Sequence, residues 1–290
     1  MRIAAVNGRA TIVTGDDLDD AARGIDVAAA SEGRFSSDIV SLYPVWDDFR
    51  DWESAVAKNA GEPIDPALLG NPAPRPSQLF AIGLNYAEHA QEANLVSERG
   101  LVPPTFTKYQ SCLSGPFDPV PLVGATVDWE VELVAVIGSG GSHIHQSDAW
   151  YHIAGVAVGQ DYSERTVQFV GAAPQFSLGK SYTGFGPIGP WLVTPDELAN
   201  RDDLELICEI NGEQVQKGRT SEMIWSIPEL IATLSSICPL SPGDVVFTGT
   251  PSGVGVGRTP PRYLSPGDTV VSRIEGVGVI KQLCIEAPTA

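Results

Sequence analysis

The sequence predicts a mostly β fold with some helix (α+β), sandwich-like or barrel-like. Strand-like runs recur through it: "LFAIGL", "EVELVAVIG", "IAGVAVG", "WLVT", "LELICEING", "DVVFTGT" and "TVVSRIEGVGVIK". Gly and Pro mark the turns between these runs, and few stretches show helical spacing. At 290 residues the chain is long enough for one large domain with a smaller companion.

The chain opens as a β-hairpin, "RIAAV" and "RATIV" joined by Asn7-Gly8, a strong two-residue turn signal. In "PVWDDFRDWESAVAKNAG" Val45, Trp46, Phe49, Trp52 and Val56 fall at helical spacing, with Gly61 just past the end. The three prolines of "GNPAPRPSQ", residues 70–78, have the composition of a linker. They place a boundary near residue 74, between a small α+β region over 1–74 and a main domain over 75–290. Within the main domain "LSPGDxV" occurs twice, at Leu240 and at Leu264, each a Pro-Gly-Asp turn launching a β-branched run. Ser226 to Glu229 is a capping box with an early proline. It predicts a helix whose apolar stripe is Ile227, Leu230, Ile231, Leu234 and Ile237, ended by Pro239.

Charge narrows the partners. Lys plus Arg number 18 against 36 Asp plus Glu, a net charge of −18. Such a surface repels phosphate backbones, so no nucleic-acid partner is expected, and most of the acids read as solubility. No segment is long and apolar enough for a bilayer, and "MRIAAVNGRATIV" lacks the pattern of a signal peptide, so no membrane partner is expected. Cys112, Cys208, Cys238 and Cys284 are far apart, which fits small reduced thiols in a cytoplasm rather than a zinc knuckle.

In "VDWEVELVAVIG", residues 127–138, Asp128, Glu130 and Glu132 share one strand face beside a continuously apolar run. Adjacent carboxylates destabilise each other unless a cation intervenes. With Asp161 of "GQDYSERTVQF" as a third, they suit Mg²⁺ or Mn²⁺ better than Zn²⁺. From the pattern alone, a solvated edge-strand face for Glu130 and Glu132 is equally open, and Asp161 by itself reads as a turn or helix-cap residue. Asp128 begins the strand and reads as structural. In "AIGLNYAEHAQE" His89 and Glu92 sit one helical turn apart, where a carboxylate can orient an imidazole as a general base. An exposed histidine with a chance neighbour is the plainer alternative. The "HIH" of residues 143–145 reads as a solvated loop. Lys108 and Lys180 follow apolar or glycine-containing runs. The glycines of "TGTPSGVGVG" form a tight loop or bring N–H groups to an anion. Phosphate-loop, dinucleotide and nucleophile-elbow patterns are absent.

Nine stretches in one order resemble the fumarylacetoacetate hydrolase family: "GLNYAEHAQE", "FTKY", "DWEVELVAVIG", "GQDYSERTVQ", "LGKS", "GPIGPW", "INGEQVQKG", "LSPGDVVFTGTPSGVG" and "LSPGDTVVSRIEGVG". The resemblance covers residues 78–282, and the leading region resembles the short N-terminal domain of many bacterial members. It implies a β-sandwich or β-roll catalytic domain and a homodimer. By that resemblance Glu130, Glu132 and Asp161 hold one Mg²⁺ or Mn²⁺ per subunit. His89 and Glu92 become a water-activating dyad on a mobile lid, with Lys180 a further catalytic residue. Arg165, Gln168 and Thr250, with Lys108 and Gly249, match substrate-binding positions. The implied substrate is a small anionic 2-oxo acid, and the implied reaction is hydrolysis of a C–C bond in a 2,4-diketo acid of the acylpyruvate kind. Decarboxylation of an oxaloacetate-type diacid, isomerisation or hydration of unsaturated 2-oxo acids, and metal-dependent binding without turnover are the alternatives. One departure stands out: where members often read D-x-S-A-R-D-x-Q, this chain has "DYSERTVQ", with Glu164 for the Ala and Thr166 for the Asp.

Overall fold

The computed structural model describes residues 1–15, 22–56, 61–92 and 99–288. The fold is mixed but strand-rich, with few helices, as the turn-punctuated runs predict. Two sheets carry it. The larger runs from Glu62–Pro63 at one edge through Arg23–Asp26, Arg9–Thr14, Arg2–Val6, Gly186–Val193, Ile153–Gln160, Val131–Ile137, Val245–Phe247 and Leu79–Ile82 to Thr105–Thr107 at the other. The smaller orders Glu213–Arg219, Glu205–Ile210, Thr269–Ile274, Gly278–Glu286 and Val120–Leu122. They meet where Val131–Ile137 packs on Glu205–Ile210, and Ile153–Gln160 on Thr269–Ile274 and Gly278–Glu286. Every residue of those two central strands of the larger sheet is buried, which is why both read as unbroken apolar runs.

The Asn7-Gly8 turn forms with both residues in the left-handed region, φ 50° and 74°, and pairs Arg2–Val6 with Arg9–Thr14. This hairpin does not stand apart. Arg2 and Ile3 pair with Val193 and Leu192, so the large sheet is continuous across the leading region and the main one. The proline-rich stretch of linker composition is also docked: Asn71 and Ala73 are buried, and the Tyr43 hydroxyl donates to the Pro72 carbonyl at 2.7 Å. Residues 1–74 and 75–290 remain a proposal about folding units, crossed by one sheet.

The helix expected from residue 44 runs Trp46–Glu53, because the preceding segment Ile39–Val45, holding Pro44, winds as a tighter 3-10 helix. Trp46 and Phe49 are buried and meet Tyr43, Phe35 and Trp52 in an aromatic cluster, while Val45 is exposed; residues 57–60 of the expected helix lie outside the description. Helix Ile227–Ile237 forms with its capping box, Ser226 N–H donating to Glu229 at 2.9 Å. Its stripe is shorter than expected. Ile237, at the stripe's edge in the last turn, is 64% exposed. The two "LSPGD" turns share one device: Asp244 and Asp268 each accept the N–H of the serine three residues back at 2.8 Å.

Candidate active site and metal centre

The acidic run is not one strand. Val127–Asp128 pairs with Ser163–Glu164, the main strand begins at Val131, and Trp129 and Glu130 fall between them. Two side-chain amides satisfy the break: Gln160 accepts the Glu130 N–H at 2.8 Å and Gln216 accepts the Val131 N–H at 3.0 Å. Glu130 and Glu132 still converge, and Asp161, directly after strand Ile153–Gln160, joins them. All three are buried, and one oxygen from each lies within 4.8 Å of the others. The solvated edge-strand alternative is thereby excluded.

Cations surround this set. Lys180 Nζ donates to Glu130 at 2.6 Å, Asp161 at 2.8 Å and Ser163 Oγ at 2.7 Å. Lys108 Nζ donates to Asp161 at 2.5 Å and to the carbonyls of Phe185, at 3.2 Å, and Lys180. All three of its N–H groups are thus engaged by protein, and Lys108 braces Asp161. Arg165 bridges Glu130 at 2.7 Å and Asp128 at 2.8 Å and donates to Gln168 at 2.8 Å. The Gly249 N–H donates to Glu132 at 2.8 Å, so Gly249 too serves a carboxylate. Thr250 Oγ donates to the Val131 carbonyl at 2.9 Å and accepts from Gln216 at 2.8 Å.

Burial, then the nearby Asp161 and Glu130, push the Glu132 carboxyl well above its ordinary range. Burial acts the same way on Glu130, but Lys180 and Arg165 outweigh it and hold that carboxyl down at about 2. Lys108 is buried, which opposes its charge, yet Asp161 keeps its pKa raised. Two glutamates one residue apart are thus driven in opposite directions. All-oxygen donors without His or Cys fit a hard divalent cation such as Mg²⁺ or Mn²⁺.

His89 and Glu92 lie on helix Ala87–Glu92, His89 Nδ1 facing a Glu92 oxygen at 3.5 Å. The Gly253 N–H reaches both oxygens of Glu92 at 3.1–3.2 Å. Gly255 and Val256 donate to Asp128 at 2.7 and 2.9 Å. The glycine loop does present N–H groups to anions, and the anions are the protein's own. Residues 93–98 lie outside the described residues.

A cavity of about 60 Å³ joins His89, Glu130, Glu132, Arg165, Gln168, Lys180 and Thr250, and Phe106, Phe169, Phe176 and Leu84 help wall it. That is room for a small acid's core, well below a drug-sized pocket. Larger hollows of about 510 and 440 Å³ lie elsewhere, beside Thr105–Thr107 and beside Trp46, but neither holds the carboxylate set. Leu84 takes a left-handed φ of 54°, rare for a branched residue. Asn85 fixes it: its side chain donates to the Trp225 and Thr248 carbonyls and accepts the Trp225 N–H. Asn85, Gln160, Gln216 and Asp128 are site supports that sequence spacing does not reveal, since their partners are 30 to 163 residues away. The departures at 164 and 166 are local: Glu164 caps the turn at Val167 N, 2.8 Å, and bonds Thr126, whose hydroxyl also meets that of Thr166 at 2.9 Å.

Comparison with known proteins agrees with this geometry. Residues 78–283 match the family model described as fumarylacetoacetate (FAA) hydrolase C-terminal. The human mitochondrial oxaloacetate tautomerase FAHD2A is 44% identical over 211 residues, 72% of this chain and 67% of that protein. A protein from Mycobacterium smegmatis named after HpcE superposes with a TM-score of 0.92 at 50% identity, over 99% of this chain and 100% of that one. Maleylpyruvate hydrolase from Sphingobium sp. SYK-6, solved with manganese(II) and pyruvate, gives 0.79 at 28% identity, over 99% and 100%. The chain belongs to the fumarylacetoacetate hydrolase family, whose members are enzymes acting on small keto acids.

Proposed function

We propose that the chain hydrolyses a C–C bond of a small 2,4-diketo acid, giving pyruvate or a related 2-oxo acid and a carboxylic acid. The observation that carries this reading is the His89–Glu92 pair beside a cavity that His89, Glu130 and Glu132 line, with Asp161 clustered behind the two glutamates. Those three carboxylates would hold one Mg²⁺ or Mn²⁺ per subunit. Such a cation, when bound, polarises carbonyl oxygens and stabilises negative charge developing on them.

The protein's own groups do the rest. Glu92 takes the Nδ1 side of His89, leaving Nε2 for the proton of a water. The water oxygen bonds to the distal carbonyl carbon, and the bond between C3 and C4 breaks. Its electron pair stays with the 2-oxo acid fragment, which takes the proton back from His89 at C3. Lys180 and Arg165, beside the cavity, balance charge as it moves.

A second reading is tautomerisation of oxaloacetate, favoured by the name of the 44% identical human relative. It would use His89 to move one proton between C3 and oxygen without attack by water. A turnover screen separates the two: strip the protein with chelator, restore Mg²⁺ or Mn²⁺, and offer acylpyruvates and oxaloacetate. Metal-dependent loss of diketone absorbance with pyruvate appearing is the expected result. Keto–enol exchange of oxaloacetate with no cleavage would replace the first reading by the second. His89→Ala should bind metal normally and lower turnover by roughly 10²–10⁴. Unchanged turnover would remove His89 from the mechanism. A cytoplasmic location and a homodimer belong to the same proposal, the latter checked by light scattering.

A further inference from the structure

The carboxylate cluster and the His89–Glu92 pair are tied together by a residue that belongs to neither. We infer that Asp128 is a positioning residue: it joins the cation-holding side of the site to the glycine loop that holds Glu92, and so governs turnover by fixing where His89 stands. This deepens the proposed function and rests on its reading of His89 as the base.

Asp128 closes the short strand Val127–Asp128, opposite Ser163 and two residues short of Arg165 on the partner strand's exit. Its side chain is fully buried, and it is not one of the three clustered carboxylates. Donors meet its charge from three directions. Oδ1 accepts the N–H groups of Trp129 at 2.8 Å and Gly255 at 2.7 Å. Oδ2 accepts the Val256 N–H at 2.9 Å and Arg165 Nε at 2.8 Å. An ionised carboxylate has lone pairs for all four donors, whereas an amide would turn its own N–H groups on some of them.

Each donor leads further. On one side the Arg165 guanidinium stands 2.7 Å from Glu130 and donates to Gln168 at 2.8 Å, and all three residues line the cavity. On the other side Val256 lines the same cavity, and the Gly253 N–H holds both oxygens of Glu92. Trp129 adds a second tie, its Nε1 donating to the Gly253 carbonyl at 3.2 Å. The loop lies close on this anchor: a Cβ built on Gly255 would lie 2.8 Å from Asp128 Oδ1 and 3.0 Å from the Trp129 ring. Neutralising Asp128 therefore frees the loop from the ligand side while Glu130, Glu132 and Asp161 keep their own side chains. Contact alone does not establish coupling; a double-mutant cycle measures it.

The test uses the full chain loaded with Mg²⁺, with acetylpyruvate and oxaloacetate as substrates and oxalate as the binding probe. Asp128→Asn should lower kcat roughly 10–100-fold, the scale of a misplacement on the order of 1 Å. Calorimetric affinities for Mg²⁺ and oxalate should stay within about twofold, the margin of independent sites. In a His89→Ala background the same substitution should cost at most about twofold, because the group it positions is already gone. An equal loss in both backgrounds would overturn the inference. So would an oxalate affinity that falls as far as kcat, since Asp128 would then only hold the site together. Wild-type turnover in His89→Ala would instead remove the proposed base, and this inference with it. If neither substrate turns over, the readout is the nitrogen NMR resonance of the His89 ring, assigned by its loss in His89→Ala. It should move in Asp128→Asn at saturating Mg²⁺ and oxalate, and an unmoved resonance overturns the inference. Trp129→Phe, which removes the bond to the Gly253 carbonyl and keeps an aromatic ring, should show the same non-additivity with a smaller loss. It carries the same test where Asp128→Asn does not fold.

Discussion

Glu132 and Glu130 are separated by one residue and by opposite electrostatic fates. Burial, Asp161 and Glu130 push the Glu132 carboxyl well above its ordinary range, while Lys180 and Arg165 hold the Glu130 carboxyl down at about 2 against burial. The sign for stability follows. A carboxyl raised in the folded state binds its proton more tightly there, so its contribution is full below the ordinary value of 4.5 and is lost as pH rises through the raised value. Glu130, lowered to about 2, contributes above its ordinary value and loses that contribution as pH falls through about 2. A divalent cation needs both ionised, so its binding works against the raised pKa of Glu132. Without metal, stability should therefore decline as pH climbs above 4.5, and added Mg²⁺ or Mn²⁺ should restore it. Metal titrations in buffers of different ionisation enthalpy should show a proton released per site, and affinity rising with pH. Metal binding with no proton release would show that Glu132 is already ionised.

The helix Ala87–Glu92 and the glycine loop at 253–257 act as a pair, and the loop's glycines show why sequence went only so far. Gly253 holds Glu92 by its N–H. A Cβ built on Gly257 would lie 2.1 Å from Glu92 Cγ and 2.4 Å from Cδ, although the Gly257 backbone is not in the left-handed region. Gly257→Ala is thus compatible with the loop itself but displaces Glu92. We expect kcat to fall about 10–100-fold, the cost of a misplacement on the order of 1 Å, with metal and oxalate affinity unchanged. Wild-type kcat in this variant would show that Glu92 need not sit where it does. The spacing of His89 and Glu92 was legible because both lie on one helical turn; the loop that positions them lies more than 160 residues on and leaves no local pattern. Strand parity and an apolar run put Glu130 and Glu132 on one face, but only the family resemblance joined Asp161 to them. The interruption at Trp129 and Glu130 could not be read from either, because Gln160 and Gln216 satisfy it from other strands. Lys108 shows the same limit: "FTKY" shows a lysine, and only the fold shows Phe185 and Asp161 enclosing it.

At the scale of the molecule, composition and topology disagree about residue 74. Three prolines within nine residues have the composition of a linker, but composition does not register where a chain docks. Here Tyr43, Asp38 and Asp244 hold that stretch at Pro72, Arg75 and Gln78. Strand Arg2–Val6 then lies beside Gly186–Val193, which is itself hydrogen-bonded to Ile153–Gln160, the strand that leads to Asp161. Buried residues of the leading region, among them Ile3, Ile12, Leu42, Tyr43 and Phe49, belong to one cluster with Val134, Val156 and Leu192. Separating the two regions would expose that apolar surface and an unpaired edge on Gly186–Val193, so they should lose structure together. Calorimetry of the metal-free chain should show one unfolding transition, with calorimetric and van't Hoff enthalpies equal. Ile3→Ala should lower its midpoint without splitting it, at a cost of about 2–5 kcal/mol. Two resolved transitions, with Ile3→Ala moving only one, would show that residues 1–74 fold as a separate unit despite the shared sheet. With a single transition, a substitution in the first strand weakens the scaffold that aims Asp161 at its partners, and the metal site inherits its stability from a hairpin that contributes no ligand.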